Sequence, residues 1–519
     1  MAATQSGPDT NARTQQPMLA RHRAKENGEN EITPPTAPHG RNAGRFPLSY
    51  KDGWSQWWAG LSPAVTEHKV LSFIPYLQQH VPTHSQTGAK VSSPDDAAED
   101  VLKTPDHEAP PFITDSNTDP YGPRRWKSDL VQLKGKNRFL NEFSVERVGE
   151  ESTNHLVMLH GYGAGLGFFY RNFDALSRLV GWRLYALDML GMGRSSRPPF
   201  HIKAKTREDK IVEAESWFAD SLEEWRVKKG IDRFTLLGHS LGGYMAVAYA
   251  LKYPGHLNKL ILASPVGIPE DPYATQAEMP EPEESTMGNE FTQSGTETSS
   301  GSSTSTTTNN KQPQPRKPLP KWLTTLWDAN ISPFSFVRLA GPLGPRLVSG
   351  WTSRRFNHLP EDQSQALHDY SYSLFRQPGS GEYALAYVLA PGAFARSPLI
   401  RRVQGIGRQW ITANNNDAAA QSVQRVRETG IPVVFMYGEH DWMDVKGGHD
   451  ATEKILKERQ KVLESATPEE KEKENGDAKV VVIRKAGHHI YLDSAEHFNE
   501  VITDEMKDVE KREKRLGDV

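Results

Sequence analysis

Short apolar runs recur along the chain, and amphipathic runs separate them. The runs at 156–159, 260–263 and 431–437 are almost entirely apolar. Runs of this length are typical of strands that are buried on both faces of a parallel sheet. The amphipathic run at 212–228 predicts a helix that leads into the next strand. The alternation therefore predicts an α/β fold, with a mostly parallel sheet and helices on both faces.

Polar, low-complexity stretches break this alternation. Residues 1–46 show no apolar period, and 279–317 is rich in Ser, Thr, Glu and Pro. Stretches with so few apolar side chains do not form a packed core. The predicted organisation is a disordered amino-terminal tail (1–46), a Trp-rich segment (47–81), a linker (82–122), a core in two parts (123–268 and 425–510) and a lid (269–424) with a low-complexity insert (279–317).

The lid is predicted because the insertion precedes the strand at 431–437. Its second half, from 321 to about 403, has a helical pattern and many aromatic residues. An insertion between successive strands is the usual place for a lid over a pocket, and aromatic side chains suit an apolar substrate. The alternative is that these rings pack only against one another.

Trp54, Trp57 and Trp58 form a dense tryptophan cluster near the start of the chain. Tryptophan suits a membrane interface, because its ring is apolar while its N–H stays hydrated. Packing on the protein's own core is the competing interpretation. Both remain open from the sequence.

Composition narrows the classes of function. The chain has 519 residues, a formal net charge of −3 and no cysteine. This charge gives no reason to expect nucleic acid as a partner, and the lack of cysteine excludes a disulfide scaffold and a thiolate metal site. No apolar run approaches the roughly 18 residues of a membrane-spanning helix, so contact with a bilayer is expected to be peripheral.

The first 25 residues carry a weak targeting signal. This stretch contains four basic residues and one acidic residue, which are Arg13, Arg21, Arg23, Lys25 and Asp9. An acid-poor, Arg-bearing start is a feature of mitochondrial presequences. An unstructured tail explains the same residues, because the apolar face of a presequence is hardly present.

The stretch Gly238-His239-Ser240-Leu241-Gly242 has the pattern of a nucleophile elbow. An apolar run precedes it and an amphipathic run follows, so a strand is expected to turn sharply into a helix. The two glycines would let strand and helix approach closely, and Ser240 would adopt a strained backbone that exposes its hydroxyl.

An acid and a histidine follow Ser240, each just past an apolar strand, in the order serine, acid, histidine. A serine nucleophile needs an imidazole to accept its proton and a carboxylate to orient that imidazole. Asp441 and His488 are the predicted partners. Asp444 remains an alternative acid, and His489 remains an alternative base.

The oxyanion hole is predicted from backbone N–H groups of Leu241 and of Tyr162, which lies in a Gly-rich loop after a strand. Asp188 also ends a strand, but its glycine-rich sequel with Arg194 indicates a packed structural loop. No cofactor is expected. A metal ion is not expected either, because no metal-ligand spacing links the histidines at strand ends: His160, His239, His440, His488 and His489.

Four motifs together resemble the lipid-acting branch of the α/β-hydrolases. The resemblance is to the fungal group that includes a cardiolipin-specific deacylase and a lysophosphatidic acid acyltransferase, and it covers about 54–500. The motifs are residues 160–165 (HGYGAG), 188–196 (DMLGMGRSS), 238–244 (GHSLGGY) and 487–493 (GHHIYLD).

This resemblance implies a serine hydrolase with the α/β-hydrolase fold that cleaves acyl esters of glycerophospholipids at a membrane surface. Cardiolipin would be the substrate and the mitochondrial inner membrane the location; the cytoplasm or a lipid droplet surface is the alternative. His488 and Asp493 also match the His-x4-Asp motif of CoA-dependent lysophosphatidic acid acyltransferases. The favoured interpretation of Asp493 from the sequence alone is a surface acid at the start of the next helix. A non-catalytic scaffold that regulates a lipase is the third alternative.

Overall fold

The computed structural model describes residues 47–77, 111–270, 332–390, 394–412 and 425–517. The predicted tail (1–46), residues 82–110 of the predicted linker and the low-complexity insert (279–317) lie outside these ranges. None of the helices within them has both the length and the apolar character needed to cross a bilayer.

Within the described residues, nine strands form one sheet in the order β1-β2-β3-β5-β4-β6-β7-β10-β11. From β5 onward neighbouring strands are parallel, whereas β1, β2 and β3 run antiparallel to their neighbours. β8 and β9 pair as a separate antiparallel ribbon. The strands are β1 (Phe112–Ile113), β2 (Arg124–Gln132), β3 (Phe139–Arg147), β4 (Asn154–Leu159), β5 (Trp182–Leu187), β6 (Phe234–His239), β7 (Leu257–Ala263), β8 (Trp410–Thr412), β9 (Arg425–Arg427), β10 (Pro432–Gly438) and β11 (Asp477–Ile483).

Helices cover both faces of this sheet, as predicted. The described α-helices are α1 (Tyr50–Ala59), α2 (Pro63–Leu71), α3 (Phe173–Leu176), α4 (Arg207–Lys229), α5 (Leu241–Lys252), α6 (Pro333–Leu339), α7 (Gly344–Arg355), α8 (Glu361–Phe375), α9 (Leu385–Val388), α10 (Val445–Ser465), α11 (Pro468–Lys473), α12 (Ile490–Asp493) and α13 (Ala495–Gly517). On β4, Val157 and Leu159 pack with α4 and α5, while Leu156 and Met158 pack in the cluster that includes α3 and α13. Because the strand is buried on both sides, its apolar run is unbroken.

The Trp-rich segment folds as α1 and α2, which contact the lid helices. The Thr66 hydroxyl lies 2.8 Å from the Ser373 hydroxyl of α8, and the Leu48 N–H donates to the Ser349 hydroxyl of α7 at 2.9 Å. Val70 of α2 is fully buried. The segment therefore contributes to the core of the protein.

A buried carboxylate joins α2 to the core and to the lid. Glu67 accepts hydrogen bonds from Arg194 at 2.6 Å, from the Tyr370 hydroxyl of α8 at 3.0 Å and from the Asn141 amide of β3 at 3.1 Å. Burial raises the pKa of Glu67, and the Arg194 guanidinium opposes that effect. This carboxylate thereby ties three parts of the chain together.

Two predicted boundaries differ from the structure. β1 pairs with β2 although it lies in the predicted linker (82–122), and the side chain of Asp119 is buried in an ion pair with Arg124 at 2.7 Å. The folded core therefore begins before residue 123. At the other end α13 continues to Gly517, past the predicted boundary at 510.

Candidate active site

Ser240 occupies the turn between β6 and α5. Its backbone has φ 53° and ψ −114°, a conformation that residues other than glycine rarely adopt. The Ser240 N–H donates to the Ala263 carbonyl of β7 at 2.9 Å, and its carbonyl accepts from the Gly243 N–H at 3.0 Å. These bonds hold the strained turn, so the predicted sharp turn from strand to helix is confirmed.

The glycines beside Ser240 are required by close backbone contacts. A Cβ on Gly238 would lie 2.3 Å from the Gly242 carbonyl oxygen, and a Cβ on Gly242 would lie 2.6 Å from the His160 carbonyl oxygen. Both separations are shorter than any real side-chain contact. The glycine spacing therefore follows from the packing of β6, α5 and the loop after β4.

His488 and Asp441 lie together at the carboxyl edge of the sheet. The Nδ1 atom of His488 is 3.1 Å from Oδ1 of Asp441, which also accepts the Met443 N–H at 3.1 Å. Because a carboxylate only accepts, the imidazole carries its proton on Nδ1 and its lone pair on Nε2. Burial raises the pKa of Asp441, but the His488 imidazole, the Ser264 hydroxyl and the Met443 N–H outweigh it, so the pKa lies below its usual value.

Asp444, the alternative acid, has a different position. It is the N-cap of α10, and its carboxylate accepts the Lys446 N–H at 2.9 Å. This geometry favours Asp441 as the carboxylate that orients His488.

His239 connects the elbow to the loop of His488. Its Nε2 atom donates to the His488 carbonyl oxygen at 3.0 Å, and the two imidazole rings are 4.9 Å apart between centroids. Burial lowers the pKa of His239 well below its usual value, and the proximity of the His488 imidazole adds to this effect. A neutral His239 therefore fixes the segment that carries Ser240 against the segment that carries His488.

The Gly-rich loop after β4 packs directly on the elbow. A Cβ on Gly161 would lie 3.1 Å from the Ser240 Cβ, so the loop that leads to Tyr162 is in contact with the serine. The Nδ1 atom of His160 donates to the Gly161 carbonyl at 2.7 Å, and its Nε2 atom accepts the Met189 N–H at 3.1 Å. Burial lowers the pKa of His160 to about 4, so this histidine is neutral and braces the loop.

Asp188 also supports the Gly-rich loop after β4. Its carboxylate accepts the Leu166 N–H at 2.7 Å, the Arg194 N–H at 2.7 Å and the Asn141 amide at 2.8 Å. Burial raises the pKa of Asp188, and these hydrogen bonds oppose that effect. The structural role predicted for Asp188 is confirmed.

Aromatic side chains of the lid lie over this region. The Phe334 ring stacks on the Tyr162 ring at 4.9 Å and on the Phe375 ring at 4.4 Å. Beside the base, the Trp442 ring is 5.0 Å from the His488 ring. A Cβ on Gly163 would lie 3.2 Å from the Phe334 ring. The lid rings therefore pack on one another and on the Gly-rich loop, and Ser240 is only 5% exposed.

Asp493 lies behind the loop of His488 and supports it. Its carboxylate accepts the Gly487 N–H at 2.9 Å and lies 3.6 Å from Arg355 and 3.5 Å from His358 of the lid. The interpretation of Asp493 as an exposed acid that starts a helix is wrong, since it ends α12 and its side chain is 12% exposed.

His489, the alternative base, contacts the lid. Its Nδ1 atom contacts the Arg355 guanidinium, and burial and that guanidinium lower the pKa of His489 well below its usual value. Between the two histidines, the geometry favours His488 as the partner of the acid.

Sequence reasoning missed the bracing roles of His160, His239 and Glu67. The two histidines attracted attention only as metal ligands, although the position of His239 inside the elbow pentapeptide could have indicated a contact at that edge. Glu67 is one acid in an amphipathic stretch, and no pattern in the sequence distinguishes it.

Comparisons with known proteins identify the family of the chain and several of its relatives. A family model described as the alpha/beta hydrolase fold matches residues 154–495. The 1-acylglycerol-3-phosphate O-acyltransferase of Arabidopsis thaliana is 31% identical over 384 residues, which cover 73% of this chain and 71% of that protein. The human (lyso)-N-acylphosphatidylethanolamine lipase is 28% identical over 352 residues, 67% of this chain and 77% of that protein. Among solved structures, naproxen esterase from Bacillus subtilis is 16% identical, with a TM-score of 0.40 and coverage of 75% of this chain and 95% of that one.

Proposed function

Since the chain belongs to the lipid-acting α/β hydrolases, we propose that it is a serine hydrolase that cleaves acyl esters of glycerophospholipids. One observation carries the proposal: the His488 imidazole, paired with Asp441, lies at the same sheet edge as the strained Ser240 elbow. A serine hydroxyl gains nucleophilic character only beside a base that a carboxylate orients.

The proposed reaction has two halves. Ser240 Oγ attacks the ester carbonyl while Nε2 of His488 accepts the hydroxyl proton, and Asp441 stabilises the imidazolium that forms. The N–H groups of Leu241 and Tyr162 stabilise the negative charge that develops on the carbonyl oxygen. His488 then returns the proton to the leaving alcohol. Water hydrolyses the acyl-serine by the reverse sequence, which restores Ser240.

The substrate class rests on the lid and on the relatives. The stacked rings of Tyr162, Phe334 and Phe375 pack on the Gly-rich loop beside the elbow, and an apolar lid of this kind suits a long acyl chain. The two relatives carry names of enzymes that act on phosphate-bearing lipids. The resemblance to the fungal deacylase makes cardiolipin the first substrate to test and the mitochondrial inner membrane the first location.

We also propose peripheral contact with a membrane through α1 and the lid. Trp54 is 56% exposed and Trp58 76% exposed, whereas Trp57 is half-buried. The Arg346 guanidinium of α7 lies over the Tyr50 ring of α1 at 4.0 Å, so these two helices are neighbours. Exposed apolar side chains on and beside α6 and α7 extend the same side of the protein: Phe336, Leu339, Leu343 and Leu347. Such a surface suits an apolar interface.

The test compares wild-type protein with Ser240→Ala on vesicles that contain cardiolipin, phosphatidylcholine or phosphatidylethanolamine. Release of fatty acid by the wild type and its loss in the variant, with unchanged circular dichroism, are the expected results. Lipid profiles of cells that lack the protein extend the test, because only the wild type should correct an excess of unremodelled phospholipid. Equal activity of the two proteins would refute the proposal.

Transfer of the acyl group to a lysophospholipid is the second candidate function. The name of the Arabidopsis relative favours it, and an acyl-serine could pass its acyl group to a lipid hydroxyl instead of water. If a His488–Asp493 pair performs the transfer independently of the serine, Ser240→Ala should retain transfer from acyl-CoA to lysophosphatidic acid. Asp493→Asn should then abolish it. Loss of both activities in Ser240→Ala would assign them to one acyl-serine.

A further inference from the structure

A polar cavity of about 320 Å³ opens between α10, α13 and the start of β11. Its location is the amino edge of the parallel strands, whereas Ser240 and His488 lie at the carboxyl edge. The cavity is therefore separate from the candidate active site. Its lining residues are Arg459, Glu474, Gly476, Asp477, Asp508, Lys511, Arg512 and Arg515.

The carboxylates of this cavity are already neutralised by cations behind them. Glu474 accepts two hydrogen bonds from the buried Arg408, at 2.6 and 2.5 Å. Asp508 accepts from the fully buried Lys259 at 2.7 Å and from Arg512 at 2.7 Å. The buried side chains of Arg408 and Lys259 therefore neutralise the negative charges of Glu474 and Asp508.

The remaining cations leave a positive excess. Within the part of the chain that the structure describes, Arg515 donates to two uncharged oxygens, those of the Glu474 carbonyl and the Asn475 side chain, each at 3.2 Å. Arg459 is 3.9 Å from the nearest Glu474 oxygen, and among the described residues Lys511 has no ion pair. With Arg408 and Lys259 included, six cations surround three carboxylates, an excess of three positive charges. Adding Glu505 with its second partner Lys479 leaves that excess unchanged.

We infer that this cavity binds a phosphate group, carried by a soluble phosphate compound or by a lipid headgroup. Three guanidinium groups and one ammonium converge on a space at the lower end of ligand-pocket volumes, and guanidinium geometry matches phosphate oxygens. Arg512 is held in place by Asp477 at 3.0 Å and by Asp508, so part of the site exists before any ligand arrives. The inference is independent of the function proposed for Ser240.

The matched variants come from α13 itself. Lys511→Gln with Arg515→Gln removes two cations from the cavity. Both residues are exposed, so the double variant is expected to fold. Lys507→Gln with Lys514→Gln removes the same charge from exposed positions of the same helix outside the lining. Calorimetric titration of the full chain with inorganic phosphate, pyrophosphate and glycerol 3-phosphate tests soluble ligands. Flotation with phosphatidylcholine vesicles, with and without phosphatidic acid, tests the headgroup.

Saturable binding of a soluble phosphate, at least about tenfold weaker in the 511/515 variant and unchanged in the 507/514 variant, supports a soluble ligand. The same difference between variants, seen only with phosphatidic acid vesicles, supports a lipid headgroup. Failure of the wild type to bind in either assay, or an equal loss in both double variants, overturns the inference.

Discussion

Replacement of Asp441 by asparagine tests the pairing at the centre of the candidate site. The carboxylate lies 3.1 Å from Nδ1 of His488 and both side chains are almost fully buried. At an effective dielectric constant near 20, a full negative charge at this distance stabilises an imidazolium by about 5 kcal/mol. Asparagine would also donate to Nδ1, so the imidazole would hold its proton on Nε2 and could not act as a base. Since 1.36 kcal/mol is a factor of ten in rate, we expect kcat to fall about 10⁴-fold.

The assay uses a short, water-soluble nitrophenyl ester, so that membrane binding does not enter the measured rate. Asp444→Asn is the matched control, because it makes the same change three residues away and asparagine still serves as a helix N-cap. We expect this control to keep kcat within about twofold of the wild type, since it leaves the pair untouched. The reasoning is refuted if Asp444→Asn abolishes turnover, or if Asp441→Asn stays within tenfold of the wild type while both variants remain folded.

Three further predictions concern the loop, the pH dependence and the membrane. Gly161→Ala places a Cβ against the elbow, so kcat on the soluble ester should fall about 10²-fold through displacement of the oxyanion loop, and an unchanged kcat would contradict that contact. Burial lowers the pKa of His160 from 6.5 to about 4. Between pH 6.5 and pH 4, this histidine is therefore protonated in the unfolded chain but not in the folded protein, so the free energy of unfolding declines as the pH falls. Between pH 6.5 and pH 5, the free energy of unfolding in urea should fall by about 1.6 kcal/mol less for His160→Gln than for the wild type. Trp54→Ala with Trp58→Ala should weaken sedimentation with vesicles at least about tenfold, whereas Trp410→Ala, which removes a tryptophan that is 63% exposed on β8, should not.

The sheet and the elbow were predictable because their constraints are local in the chain. An unbroken apolar run such as 156–159 can be stable only with cover on both faces, and the structure provides it. The spacing of Gly238 and Gly242 around Ser240 is a short sequence pattern: Gly238 is required by a contact four residues away, although Gly242 is required by the loop after β4. Both features can therefore be read from a few consecutive residues.

The rest of the site depends on contacts between distant segments. Asp441 and Asp444 both lie in the loop that follows β10, and the contact with His488, which is 47 residues further along the chain, distinguishes Asp441. The sequence around Asp493 has the pattern of a helix start, but in the structure its carboxylate accepts the Gly487 N–H and lies beside Arg355 of the lid. The predicted linker (82–122) extends past the start of the folded core, because the two-residue strand β1 is too short to show an apolar period.

The bond between Glu67 and Arg194 limits how far the chain can be shortened at its amino terminus. A truncation has to stop before α2, because removal of Glu67 would take away the carboxylate that the Arg194 guanidinium pairs with and the acceptor of the buried Tyr370 hydroxyl. A truncated chain that begins before α1 keeps this linkage, whereas a shorter one is expected to misfold rather than to lose only its tryptophans.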